Sequence, residues 1–242
     1  MNFTEEIKKF LLKKGAELVG IAPVERLMRA PKGYRPRDYI SNARSVISMA
    51  IHIDYALMSN LPRSRIEYTQ NGRAIDKRLD ELAHECAKSL ITRGFGALPS
   101  LRAKPGEFDL IENMNDFSAA MSNRHIAVAA GLGEFGLSGN ILTPQYGPAQ
   151  LFNSVITEAP LDPDPFFEGK LCTKCGECIK SCPSGALRDI RGKYDRQKGV
   201  LINKQKCWEY GKRLRGNDGK RILCGMCLKV CPVGDPALQV RR

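Results

Sequence analysis

Apolar residues recur at helical spacing from the start of the chain. In MNFTEEIKKFLLKKG, Phe3, Ile7, Phe10 and Leu11 share one face, Asn2 stands as a cap with Glu5 three residues on, and Gly15 ends the run. The pattern predicts an amphipathic helix. ELVGIA and SVISMAIHI are instead almost continuously apolar, as buried strands are. A second helical pattern spans about Arg73 to Arg93, with Ile75, Leu79, Leu82, Cys86 and Leu90 on one face and Gly94 at its end. A third covers Ala119 to Ala130, and NSVITE reads as a further strand. Strands mixed with helices predict an α/β or α+β domain over residues 1–160.

The periodicity ends near Ala159. The segment APLDPDPFFEG holds three prolines and reads as a linker. Beyond it come short loops, glycines, prolines and cysteines, which predict a second, small domain over residues 161–242. A segment of that size needs a metal to supply what its core cannot.

The cysteines supply that metal chemistry. Cys172, Cys175, Cys178 and Cys182, followed by Pro183, have the C-x2-C-x2-C-x3-C-P spacing of bacterial ferredoxins. In such a loop three thiolates converge on one 4Fe-4S cube and the fourth faces a second cube. The second set is present: Cys224, Cys227 and Cys231 precede Pro232. Arg221 stands where that set lacks its upstream cysteine, and Cys207 fills the gap if the intervening loop folds back. Cys172, Cys175, Cys178 and Cys231 are then expected to hold one cluster, and Cys182, Cys207, Cys224 and Cys227 the other. Zinc sites use separated C-x2-C pairs and do not call for this run. Cys86, on the apolar face of a helix, reads as an inert core thiol.

Charge and targeting signals refine the picture. The net charge is +12, and Arg188 to Arg242 carries fifteen Lys/Arg against five Asp/Glu. Clusters offset part of that basic surface; the rest is either solvated or a landing site for a nucleic acid or an acidic redox partner. No apolar run is long enough to span a membrane, and the N-terminus lacks a signal peptide's apolar stretch and a twin-arginine pair. The expected location is cytoplasmic, where thiols stay reduced. Gly131, Gly133 and Gly136 spell G-x-G-x-x-G, but helix-breaking LSGNILTPQYGP follows, so a dinucleotide site is not expected. These glycines read as a tight turn, or as a close approach to something flat and large.

RHIAVAAGLGEFG, LTPQYGP and FNSVITEAPLD, followed in order by the two cysteine runs, resemble the cobalamin-dependent epoxyqueuosine reductases and the related reductive dehalogenases, over about Arg124 to Pro232. AELVGIAPVERL and ARSVISMAIHI look like that family's opening strands. The resemblance implies a nitroreductase-like α/β domain, a corrinoid between it and the cluster domain, and two clusters acting as a wire of single-electron steps fed by a ferredoxin or flavodoxin. Arg124, His125, Gly131, Gly133, Gly136, Asn140, Tyr146 and Gly147 match stretches that would contact the corrinoid. Asp116 is the nearest match to the family's proton-donating aspartate, although it reads equally as a helix cap before Ser118.

Two features depart from the family's tRNA-modifying members. Only Pro232 to Arg242 follow the second cysteine run, where those enzymes continue into a helical region that helps hold tRNA. Leu137 and Ser138 stand where a Lys-Asn or Lys-His pair is common. The expected function is a cobalamin-dependent iron–sulfur oxidoreductase, with epoxyqueuosine in tRNA as the leading substrate. The alternative is an electron carrier or corrinoid-handling protein, with a corrinoid protein as partner and no organic substrate of its own.

Overall fold

The first helix forms where its apolar stripe asks for one. α1 (Phe3–Lys13) starts at Asn2, whose side chain accepts from the Glu5 N–H at 2.9 Å, and it buries Ile7 and Leu11. The computed structural model of the chain describes residues 2–100, 121–188, 191–214 and 221–234. Within these, β1 (Leu18–Pro23), β2 (Ser45–His52), β3 (Ala97–Pro99) and β6 (Gln150–Thr157) form one sheet in the order β1-β2-β6-β3, with each neighbouring pair antiparallel. A two-stranded ribbon of β4 (Glu134–Phe135) and β5 (Ile141–Leu142) lies outside it.

Helices cover both faces of the sheet. α1 and the long α4 (Arg65–Thr92) pack on one face, where Ile47, Met49 and Val155 meet Leu79, Leu82 and Leu90. α5 (Asn123–Ala129) packs on the other, against Val46, Ala50, Phe152 and Ile156. Burial from both sides removes the polar alternation of a one-faced antiparallel strand. That is why SVISMAIHI reads as a continuous apolar run. Two helical turns, α2 (Pro36–Tyr39) and α3 (Tyr55–Ser59), complete this α/β body.

Three features differ from the sequence expectation. The helix expected from Arg73 begins at Arg65. Its first two turns bury Tyr68, Thr69 and Gly72, and they pack on residues of the cysteine-rich region rather than on the sheet. Thr69 Oγ1 accepts from the Leu223 N–H at 2.9 Å, and Arg73 donates to the Arg221 carbonyl. Polar residues buried against a second unit carry no apolar stripe to read. The proline-rich segment is also no loose tether. Asp164 exchanges hydrogen bonds with the Ile21 backbone and takes Lys8 at 2.6 Å, while Leu161 is buried. The helix expected from Ala119 is described from Asn123, and Asp116 and Ser118 lie outside the described residues.

After Cys172 come two four-residue helices, α6 (Glu177–Lys180) and α8 (Met226–Lys229), packed on each other. Between them lie a ribbon of β7 (Arg191–Asp195) and β8 (Gly199–Leu201), and α7 (Lys204–Arg213). The chain folds back after α7, where the Ile222 N–H meets the Gly211 carbonyl.

Candidate cluster centres and cofactor cavity

The two C-G-x-C stretches fold alike. Gly176 and Gly225 each take a left-handed conformation, with φ of 79° and 69°, and turn the chain into α6 and α8. These turns gather the cysteines in two groups. Cys172, Cys175, Cys178 and Cys231 line one small cavity of about 30 Å³. Cys207, Cys224 and Cys182 sit close enough to perturb one another, and Cys227 feels both Cys207 and Cys224. The grouping matches the donor chemistry two 4Fe-4S clusters need: four sulfurs each, with Cys182 and Cys231 crossing over.

The two groups differ in environment. Cys175 is exposed and Cys182 is buried. Desolvation raises four of these thiols: Cys178 to about 11, Cys227 to about 12, and Cys207 and Cys224 upward as well. Neighbouring sulfurs add to the rise. Cys182 goes the other way. Burial opposes its thiolate, but the Ser184 hydroxyl at 3.3 Å and the N–H groups of Leu187, Ser184 and Ala186 outweigh it. Arg221 and Arg65 add positive charge beside Cys224, and Arg221 beside Cys207.

A much larger cavity of about 1140 Å³ lies between the α/β body and the β7–β8 ribbon. Arg26, Tyr34, Met121, His125 and Lys204 are among its lining residues. That volume lies just above the ordinary range of small-molecule pockets, and the walls mix apolar surface with cations, which suits a large planar macrocycle with polar edges. Lys204, at the cavity wall, opens α7, the helix that carries Cys207 one turn further on; among the described residues no cysteine lines the cavity itself. His125 is fixed in one form. Its Nε2–H donates to the Lys198 carbonyl at 3.3 Å and its Nδ1 accepts from Ser122 Oγ at 2.9 Å. Although the residue is exposed, partial desolvation of the ring lowers its pKa from the ordinary value, which favours the neutral form.

The remaining residues expected at a corrinoid are spread more widely. Arg124 donates to the Gly139 carbonyl at 3.0 Å and its charge favours the Cys207 and Cys227 thiolates, and Asn140 Nδ2 lies 3.5 Å from Cys227 Sγ. Gly131 and Gly133 approach this chain's own backbone: an added Cβ would stand 2.1 Å from the Pro165 carbonyl and 2.0 Å from that of Leu142. Gly136 packs on the Leu142 side chain and borders the small cavity. Tyr146 stacks on His52 at 5.0 Å, and Gly147 pairs with Thr143. Among the described residues, the large cavity is lined by His125 alone of this set.

Sequence reasoning missed Glu134. It is 3% exposed, its Oε1 accepts from the N–H groups of Leu171 and Cys172 at 2.8 and 2.7 Å, and its Oε2 takes Arg196. A lone carboxylate inside the apolar run AVAAGLGEFGL was the available signal.

Comparison with known proteins agrees with this picture. Residues 171–234 match the 4Fe-4S double cluster binding domain. The chain is 32% identical over 123 residues to an epoxyqueuosine reductase of Bacillus anthracis, covering 50% of this chain and 32% of that protein. It is 34% identical over 118 residues to a tetrachloroethene reductive dehalogenase of Sulfurospirillum multivorans, covering 44% and 22%. Among solved structures, an epoxyqueuosine reductase with an epoxyqueuosine-modified tRNA stem loop aligns with a TM-score of 0.61 at 21% identity, over 95% of this chain and 64% of that one. A reductive dehalogenase described for B12-dependent dehalogenation aligns at 0.65 and 22%, over 96% and 31%. The matches to the curated relatives thus span about a third of their length or less.

Proposed function

On the premise that this chain is a homologue of epoxyqueuosine reductases and reductive dehalogenases, both of them reductases, we propose that it is a corrinoid-dependent iron–sulfur reductase. The observation that carries this reading is a cofactor-sized cavity with a wall residue, Lys204, on the same helix as Cys207 of the second four-cysteine group. Cys172, Cys175, Cys178 and Cys231 would ligate an outer cluster, and Cys182, Cys207, Cys224 and Cys227 an inner one. The α/β body, residues 1–160, would be nitroreductase-like, which its antiparallel sheet between helices supports. Residues 161–242 would form the cluster domain.

A corrinoid, when bound, supplies a metal that changes valence by single electrons and passes them to an organic substrate. The protein's own residues do the rest. Met121, His125, Val128 and Ala129 offer a wall for the macrocycle, and Arg26, Lys198 and Lys204 offer donors to its polar edge. Neutral His125, held on both ring nitrogens, keeps its place without adding charge. Asp116 would donate the proton that a reduced substrate needs. Exposed Cys175 marks where a ferredoxin or flavodoxin would deliver electrons in the cytoplasm. Among the described residues no helix is long and apolar enough to cross a membrane. Epoxyqueuosine in tRNA is the leading substrate, and the +10 charge from Arg188 to Arg242 suits a polyanion.

The test is an anaerobic visible titration of cluster-loaded protein with hydroxocobalamin, followed by desalting and reduction. Retention at one equivalent with a base-off spectrum supports the reading; loss on desalting with no spectral change contradicts it. Asp116→Asn then separates an enzyme from a carrier. Turnover should fall at least tenfold with clusters and corrinoid kept, whereas unchanged electron delivery would favour the carrier.

A further inference from the structure

The loop 131–140 touches both cysteine groups. At one end Glu134 receives the N–H groups of Leu171 and Cys172, and the Leu137 N–H points at Cys172 Sγ from 3.4 Å. Tyr194 and Arg196, from the β7–β8 ribbon, lock that end by bonding the Phe135 carbonyl and the Glu134 carboxylate. At the other end Asn140 Nδ2 reaches Cys227 Sγ at 3.5 Å. Arg124 holds the preceding Gly139 carbonyl at 3.0 Å, and its positive charge acts on Cys227 and Cys207. The close backbone approaches of Gly131 and Gly133 pin the loop to Pro165 and Leu142. A glycine motif that looks like a nucleotide cradle is thus occupied by the protein itself.

Resting on the ligand sets proposed above, we propose that this loop is a bracket through which the α/β body tunes the two clusters separately. Asn140 and Arg124 raise the potential of the inner cluster, and Glu134 positions the first ligand of the outer one. The physical cause is charge. A cluster that accepts one electron gains one negative charge, with no bond made or broken at the protein and no proton taken up. An N–H aimed at a ligand sulfur and a cation beside it stabilise that reduced state more than the oxidised one. Glu134 acts differently. Its charge is met by Arg196, and its part is to hold two backbone N–H groups so that Cys172 faces the small cavity.

The test is a potentiometric titration of the reconstituted full chain with titanium(III) citrate, read by electron paramagnetic resonance. Asn140→Leu and Arg124→Met should each move the inner cluster to lower potential and leave the outer one in place, and Arg124→Lys should restore most of the shift. Glu134→Ala should lose or broaden the outer signal alone. Glu134→Gln, which keeps an acceptor for Leu171 and Cys172, should retain it. Inner potentials unchanged in both Asn140→Leu and Arg124→Met, or both clusters shifting together, would overturn the bracket. Iron and sulfide content of the wild type separates the failures. A chain that takes up no clusters defeats the functional reading, whereas clusters with unmoved potentials defeat only the bracket.

Discussion

The two cysteine groups share one loop design and differ in what surrounds it. Both turn on a left-handed glycine, at Gly176 and at Gly225, and both end in Cys-Pro. An added Cβ at Gly176 would meet nothing within 4 Å, whereas at Gly225 it would strike Leu61 at 2.5 Å and the Tyr68 ring at 2.8 Å. One group faces solvent through Cys175, and the other is walled by α4, Arg65, Arg124 and Arg221. A repeated motif thus sets which atoms bind metal, and the unrepeated surroundings set how each centre behaves. On the proposed reading, the first group would serve electron entry and the second would be the more controlled centre.

The largest test of this contrast removes one ligand from each group. Cys207→Ala should abolish the inner cluster and leave about half the iron, with cobalt reduction lost. Cys175→Ala should spare the inner cluster and change only the outer signal. Iron analysis with resonance spectra of both variants checks this, and equal damage to both centres would erase the distinction. A smaller effect separates the glycines. Each alanine pays for a left-handed conformation, about 1 kcal/mol, but Gly225→Ala also forces Leu61 and Tyr68 aside. Thermal unfolding should place Gly225→Ala clearly below Gly176→Ala, and equal melting temperatures would contradict the walled inner site.

The smallest effect concerns the thiol that belongs to neither group. Burial raises Cys86 to about 12, above the ordinary thiol value of 9.0. Below pH 9 both folded and unfolded chains keep that proton. Between about 9 and 12 only the unfolded chain releases it, so stability falls as pH rises. Urea unfolding of loaded protein at pH 8 and pH 10 should show this loss, and Cys86→Ala should make it less steep.

Much of this was legible in the chain. Periodicity placed α1, the sheet-facing part of α4 and the central strands, because those elements bury one apolar face or two. The missing upstream cysteine of the second run pointed to Cys207, which the fold brings close enough to Cys224 for the two to perturb each other. What escaped was polar contact between units. The first turns of α4 bury Tyr68 and Thr69 against the cluster region, and Glu134 reaches across to Cys172. Such groups gain stability from specific hydrogen bonds, and these leave no period in a sequence. The residues matched by resemblance are spread through the fold: His125 lines the cavity, while Asn140 Nδ2 lies 3.5 Å from Cys227 Sγ.

The most direct test of the account follows cobalt reduction in the hydroxocobalamin-loaded wild type and in Cys207→Ala, with the same electron donor. The account predicts rapid reduction in the wild type and almost none above the free-cofactor background in the variant. Equal rates in the two proteins would show that electrons bypass the inner centre, and the wire from exposed to buried group would have to be abandoned.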